Sequence, residues 1–138
     1  MKKDSKKNYW LTPKKHYKVL DDEFHFDFDP CPFPKPDDFD GLTAEWGNVN
    51  YVNPPFKKED GGGIAYWITK GIEENKKGKT VVFLIHVDRA IMKLIKAGAE
   101  IRTLGETAWI STKDGSEGYS HPSAVFVLKG KNPTGKVV

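Results

Sequence analysis

This 138-residue chain contains one cysteine, Cys31. A lone thiol excludes an internal disulfide framework and fits a reducing compartment. No apolar run is long enough to span a bilayer, and the Lys-rich opening MKKDSKKN lacks the apolar stretch of a secretion signal. The expectation is a soluble intracellular protein with no membrane partner. Charge of neither sign dominates: 22 Lys and Arg face 19 Asp and Glu, and the net +3 permits contact with nucleic acid without requiring it. His16, His25, His86 and His121 are scattered, and no Cys/His spacing matches a zinc site, so no metal is expected. The glycine run at residues 61–63 is followed by no Lys-Ser/Thr pair and fits no dinucleotide pattern, which leaves nucleotide hydrolysis and hydride transfer without support. The chain has no internal repeat.

What is present suits one domain over residues 9–130, between a basic tail at 1–8 and a polar tail at 131–138. A hydrophobic content of 38% supplies a modest core and argues against disorder throughout. Trp10 to Pro13 reads as a turn, and Lys14 to Asp22 as a short helix with Tyr17, Val19 and Leu20 inward. Phe24, Phe26 and Phe28 alternate with polar residues in the manner of a strand, ending at Asp29-Pro30. Three prolines between Cys31 and Asp40 make that segment a loop. A second strand covers 48–52, a helix 64–75, and the unbroken apolar run 80–85 a strand buried on both faces. A helix over 88–97 stopping at Gly98, a short strand at 100–104, and a late hairpin from 108–111 and 124–128 complete the order. The fold class predicted is α/β, with an open mixed sheet flanked by helices.

The most specific motif is Asn53-Pro54-Pro55-Phe56, directly after the second strand. Consecutive prolines fix φ and remove two donors, so the turn is stiff and presents carbonyl oxygens. The Asn side chain adds an acceptor and two donors, and the Phe ring a flat stacking face. An amine conjugated to an aromatic ring is a poor nucleophile, because its lone pair is delocalised. If the Asn53 oxygen and the Pro54 carbonyl each accept one N–H, the nitrogen is drawn toward tetrahedral geometry and its lone pair is released for attack on an aligned methyl group. A nucleobase amine would have to leave the duplex to reach such a turn. The carboxyl end of a strand in an open α/β sheet is also where ligands bind. A strand-ending turn with a core-packed Phe56 is the plainer alternative.

The motif resembles that of S-adenosylmethionine-dependent amino-methyltransferases. In order along the chain, Trp10-Leu11-Thr12-Pro13, Phe28-Asp29-Pro30-Cys31, Asp40-Gly41-Leu42 with Trp46, and Asn53 to Phe56 resemble the small phage-type DNA N6-adenine methyltransferases over residues 9–128. The resemblance implies a small Rossmann-like fold, DNA and S-adenosylmethionine as partners, and the cytoplasm of a bacterial host as location. It makes Asn53, Pro54, Pro55 and Phe56 catalytic. It makes Trp10, Thr12, Pro13, Asp29, Pro30, Cys31 and Asp40 cofactor contacts, with Asp40 toward the cofactor adenine. Lys57, Lys58 and Arg89 are candidates for DNA phosphates. The same residues have plain structural roles open to them: Thr12 and Asp88 as helix caps, Cys31 as a small core residue, Asp40 as a turn residue. The chain departs from the family where Cys31-Pro32-Phe33-Pro34 replaces a glycine-rich cofactor loop. Methylation of another amine (cytosine N4, an RNA base or a protein glutamine) and a non-catalytic DNA-binding remnant stay open.

Overall fold

The computed structural model describes residues 10–11, 14–55, 63–111 and 117–131. Its centre is the apolar run expected to be buried on both faces. Thr80–His86 forms strand β3, and Val81 through Ile85 are each fully buried. The elements in chain order are β1 (Trp10–Leu11), α1 (Lys14–Phe24), β2 (Val49–Val52), α2 (Ile64–Lys76), β3, α3 (Ile91–Lys96), β4 (Glu100–Ser111) and β5 (Glu117–Leu128). They build a five-stranded sheet in the order β1-β4-β5-β3-β2. β2 runs parallel to β3, whereas β5 is antiparallel to both β3 and β4.

Alternation along the strands separates two apolar layers. On one face Val52, Val81, Phe83, Ile85 and Phe126 pack against Ile64, Trp67 and Ile68 of α2 and Leu94 of α3. On the other, Tyr51, Val82, Leu84, Val125 and Val127 pack against Leu20 of α1, with Phe24 and Phe26 beside them. α2 comes unusually close to the sheet at Gly71, where an added Cβ would collide with the buried ring of Phe83. Helices on both faces of an open mixed sheet are the Rossmann-like α/β architecture that the sequence predicts. Among the described residues no helix is long and apolar enough to cross a membrane.

Five local expectations change. Val19 of α1 is 66% exposed rather than inward. Trp10 and Leu11 form no turn but pair with Ser111 and Ile110 of β4. The Phe24-Phe26-Phe28 alternation is not one strand. Phe24 closes α1, which His25 ends at φ 57° with its N–H donated to Asp21 O at 2.8 Å, and only Phe28 joins the sheet, as a single parallel bridge to Asn50. The period-2 spacing instead stacks aromatics: Phe26 lies 6.0 Å from Phe24 and 5.2 Å from Tyr51, centroid to centroid. α3 starts late because Asp88 turns the chain first, accepting the Ala90 N–H on Oδ1 at 2.8 Å. The two short late strands on the β4 side are one long strand, paired with β5 through two register shifts.

Candidate active site

β2 and β3 end toward the same side of the sheet, β3 three residues later. Val52 lies opposite Phe83 in parallel register, so Asn53 leaves the sheet one residue later, toward the level at which β3 ends in His86. Asn53, Pro54 and Pro55 are all buried, Asn53 to 4% exposure. Phe56, Lys57 and Lys58 lie outside the described residues, as do Thr12 and Pro13.

The segment Asp29–Cys31 leaves the sheet beside this turn. Phe28 bridges Asn50, its carbonyl accepts the Tyr51 N–H at 3.0 Å, and the Asp27 N–H is donated to Val49 O at 2.9 Å. The Asp29 carboxylate accepts the Cys31 N–H on Oδ1 at 2.9 Å. Its side chain keeps contact with solvent at the rim, yet protein crowds it on the other sides. That crowding pushes its carboxyl up to about 6, against the opposing pull of the Cys31 N–H. Cys31 is 8% exposed and belongs to the core cluster of α2; burial, with the Asp29 charge beside it, holds its thiol well above the usual range. It is a packing residue there rather than a nucleophile.

The third segment folds back onto this one. An added Cβ on Gly41 would collide with the carbonyl oxygen of Pro30, so only glycine permits the Asp40-Gly41-Leu42 turn to lie against Asp29-Pro30-Cys31. Asp40 is exposed and shapes that turn, with Oδ1 accepting the Leu42 N–H at 2.9 Å and its carbonyl accepting the Ala44 N–H at 2.9 Å. The three sequence motifs between 29 and 55 therefore converge. Arg89 is exposed in the turn after β3, at the edge of the sheet where Asn53 sits. Trp10 is not brought to Asp29; its backbone pairs with β4, on the side of the sheet opposite β2.

Several residues at the site carry no motif signal. Tyr17 of α1 sits edge-on to Tyr51, ring centroids 4.9 Å apart, and its phenol is raised by burial and by the charges of Asp21 and Asp29. Asn50 is fully buried in β2; its Oδ1 accepts the Gly47 N–H at 2.8 Å, and its Nδ2 donates to Gly47 O at 3.0 Å and Thr80 O at 3.1 Å. A polar residue inside an apolar strand was the one available clue to it. His86 closes β3 with its Nε2 4.0 Å from the Asp88 carboxylate. A cavity of about 280 Å³ lined by Asn75, Gly98, Glu100 and Lys129 opens where β3 begins, at the opposite end of that strand from His86.

The donor set suits an amine substrate next to a ligand carrying hydroxyls and an ammonium group. Asn53 and the prolyl carbonyls offer acceptors, and Asp29 and Asp40 offer two carboxylates on segments held in contact. No curated protein and no solved structure matches the chain. A family model does, along residues 1–133: the chain belongs to the DNA N-6-adenine-methyltransferase (Dam) family.

Proposed function

We propose that this protein transfers a methyl group from S-adenosylmethionine to the exocyclic N6 amine of adenine in DNA, acting on a base turned out of the duplex. The observation that carries the reading is the buried Asn53-Pro54-Pro55 turn at the carboxyl end of β2, directly beside Asp29–Cys31. Asn53 and the Pro54 carbonyl accept the two N–H bonds of the amine and orient its lone pair. Phe56 stacks on the turned-out base, and Pro55 keeps the turn rigid. Lys57, Lys58 and Arg89 hold phosphates of the displaced strand.

S-adenosylmethionine supplies an electrophilic methyl group on its sulfonium. Asp29, with Pro30 and Cys31, borders the methionine part and Asp40 the adenosine part, while Trp10, at the opposite edge of the sheet, is left out of the contacts. The carboxylates of Asp29 and Asp40 match the ammonium and hydroxyl groups of such a ligand, which supports the fit without the glycine-rich loop. A dedicated general base is unnecessary, because the amine loses its extra proton readily once methylated.

The test is incubation of the protein with methyl-labelled S-adenosylmethionine and unmethylated DNA, followed by nucleoside analysis. Label in N6-methyldeoxyadenosine is expected. Label in N4-methyldeoxycytidine alone, or in RNA or protein glutamine under the same conditions, replaces the assigned substrate. Absence of label, with no cofactor binding in calorimetry, makes the chain a non-catalytic relative.

A further inference from the structure

The cofactor-side loop, residues 32–48, has no helix or strand and includes three prolines. A loop of that length inside a small domain holds a ligand only if something fixes it. The fixing group comes from the far end of the sheet. Lys79, at the entry to β3, donates from Nζ to the Trp46 carbonyl at 2.8 Å and to Glu45 Oε2 at 3.0 Å, and also to Glu74 Oε1. Glu74 is 1% exposed on α2 and is bound as well by Lys70 and Lys77. Trp46, itself 3% exposed, donates its indole Nε1–H to Gly41 O at 2.7 Å. Gly41 lies on the Pro30 carbonyl. Apart from those to the exposed Glu45 and Lys77, the links are short contacts between groups that are buried or nearly so, where bonds are strong and misalignment is costly.

We infer that Lys79 and Trp46 are positioning residues for the cofactor: through Gly41 they set the spacing of Asp40 from Asp29–Cys31. This rests on the reading of those segments as the cofactor side of a methyltransferase. The ion-pair cluster at the base of α2 thus acts on cofactor affinity as well as on stability. It takes the place of the glycine-rich loop with a proline-stiffened one clamped from behind.

The test compares Lys79→Met, Lys79→Arg and Trp46→Phe with Val127→Ala, a core truncation on the opposite face that lowers stability without touching the relay. Each is measured for Tm, for S-adenosylmethionine affinity by calorimetry, and for kcat and cofactor KM on DNA. Trp46→Phe and Lys79→Met are expected to weaken cofactor binding roughly tenfold, the loss of about one buried hydrogen bond. In both, kcat at saturating cofactor stays within about twofold of the wild type, since the reacting groups are untouched. Lys79→Arg should largely restore affinity, and Val127→Ala should leave it unchanged at a comparable loss of Tm. If Trp46→Phe and Lys79→Met bind the cofactor like the wild type, or if Val127→Ala weakens it equally, the positioning role is wrong while the methyltransferase reading stands. If the wild type itself binds no S-adenosylmethionine, with DNA present, both fall together.

Discussion

Gly41 rests against the carbonyl of Pro30, closely enough that a methyl group at Gly41 would overlap the oxygen. Two loop segments 11 residues apart in sequence are thereby held as one surface bearing Asp29 and Asp40. Gly41→Ala should separate them. The expected cost is about 1–3 kcal/mol of stability, as for other overpacked sites, together with a marked loss of S-adenosylmethionine affinity. Denaturant unfolding and calorimetry on the same preparation check both parts. Unchanged cofactor affinity would place the ligand elsewhere.

If Asp29 meets the cofactor as proposed, binding should depend on pH. Its carboxyl, raised to about 6, is mostly ionised at pH 7.5 and mostly protonated at pH 5. If the carboxylate is the form that meets the cofactor, affinity should fall roughly tenfold between pH 7 and pH 5. Asp29→Asn should weaken binding at pH 7 and flatten that profile. Stability moves the other way. The folded value lies above the ordinary 3.8, so the contribution is complete below 3.8 and declines as pH rises through about 6. Asp29→Asn is therefore expected to hold or gain Tm at pH 7 while losing binding, a split that a general folding defect would not produce.

Glu74 predicts the opposite pH behaviour. Burial disfavours its charge, but the hydrogen bonds from Lys79, Lys70 and Lys77 outweigh that and bring it down to about 2. Its cover is the lysine side chains themselves rather than depth in the core, which is why so inaccessible a carboxylate stays ionised. A folded value below the ordinary 4.5 contributes stability above 4.5 that is lost as pH falls toward 2. Glu74→Gln takes from Lys70 its carboxylate and leaves Lys79 only the exposed Glu45, and should cost on the order of 3 kcal/mol at pH 7, with the deficit shrinking by pH 3. Urea unfolding at the two pH values measures it, and an equal deficit at both would contradict the pairing.

Much of this fold was legible because its strongest signals are physical and local. The apolar run at 80–85 had to be a strand buried on both faces, the spacing of Ile64, Trp67, Ile68 and Ile72 had to be one helix, and Gly98 marked the end of α3. The aromatic triplet was misleading, because Phe24 and Phe26 serve a cluster with Tyr51 while Phe28 packs on the other face of the sheet. β1 was hidden because a two-residue strand exists only through its partner, Ile110 and Ser111. In the site, Asp29, Asp40 and Asn53 stood out as motif residues, and the plain roles open to Cys31 and Asp40 are filled as well, while Asp88 shapes the turn before α3 rather than capping the helix. Lys79 could not be read at all. It is one of many lysines, and only the three-dimensional meeting of α2, the entry to β3 and the loop at Trp46 gives it partners.

The central claim is that Asn53 presents the amine for methylation, and Asn53→Ala tests it most directly. Asn53 lies one residue past β2 and belongs to neither apolar core layer, so the variant should fold. It should also bind S-adenosylmethionine and DNA near wild-type affinity. Transfer of labelled methyl to adenine in a single turnover should drop on the order of 10²–10³-fold, the usual effect of removing one preorganised group from a reacting centre. A folded, cofactor-binding Asn53→Ala protein that methylates adenine at close to the wild-type rate would contradict the assignment.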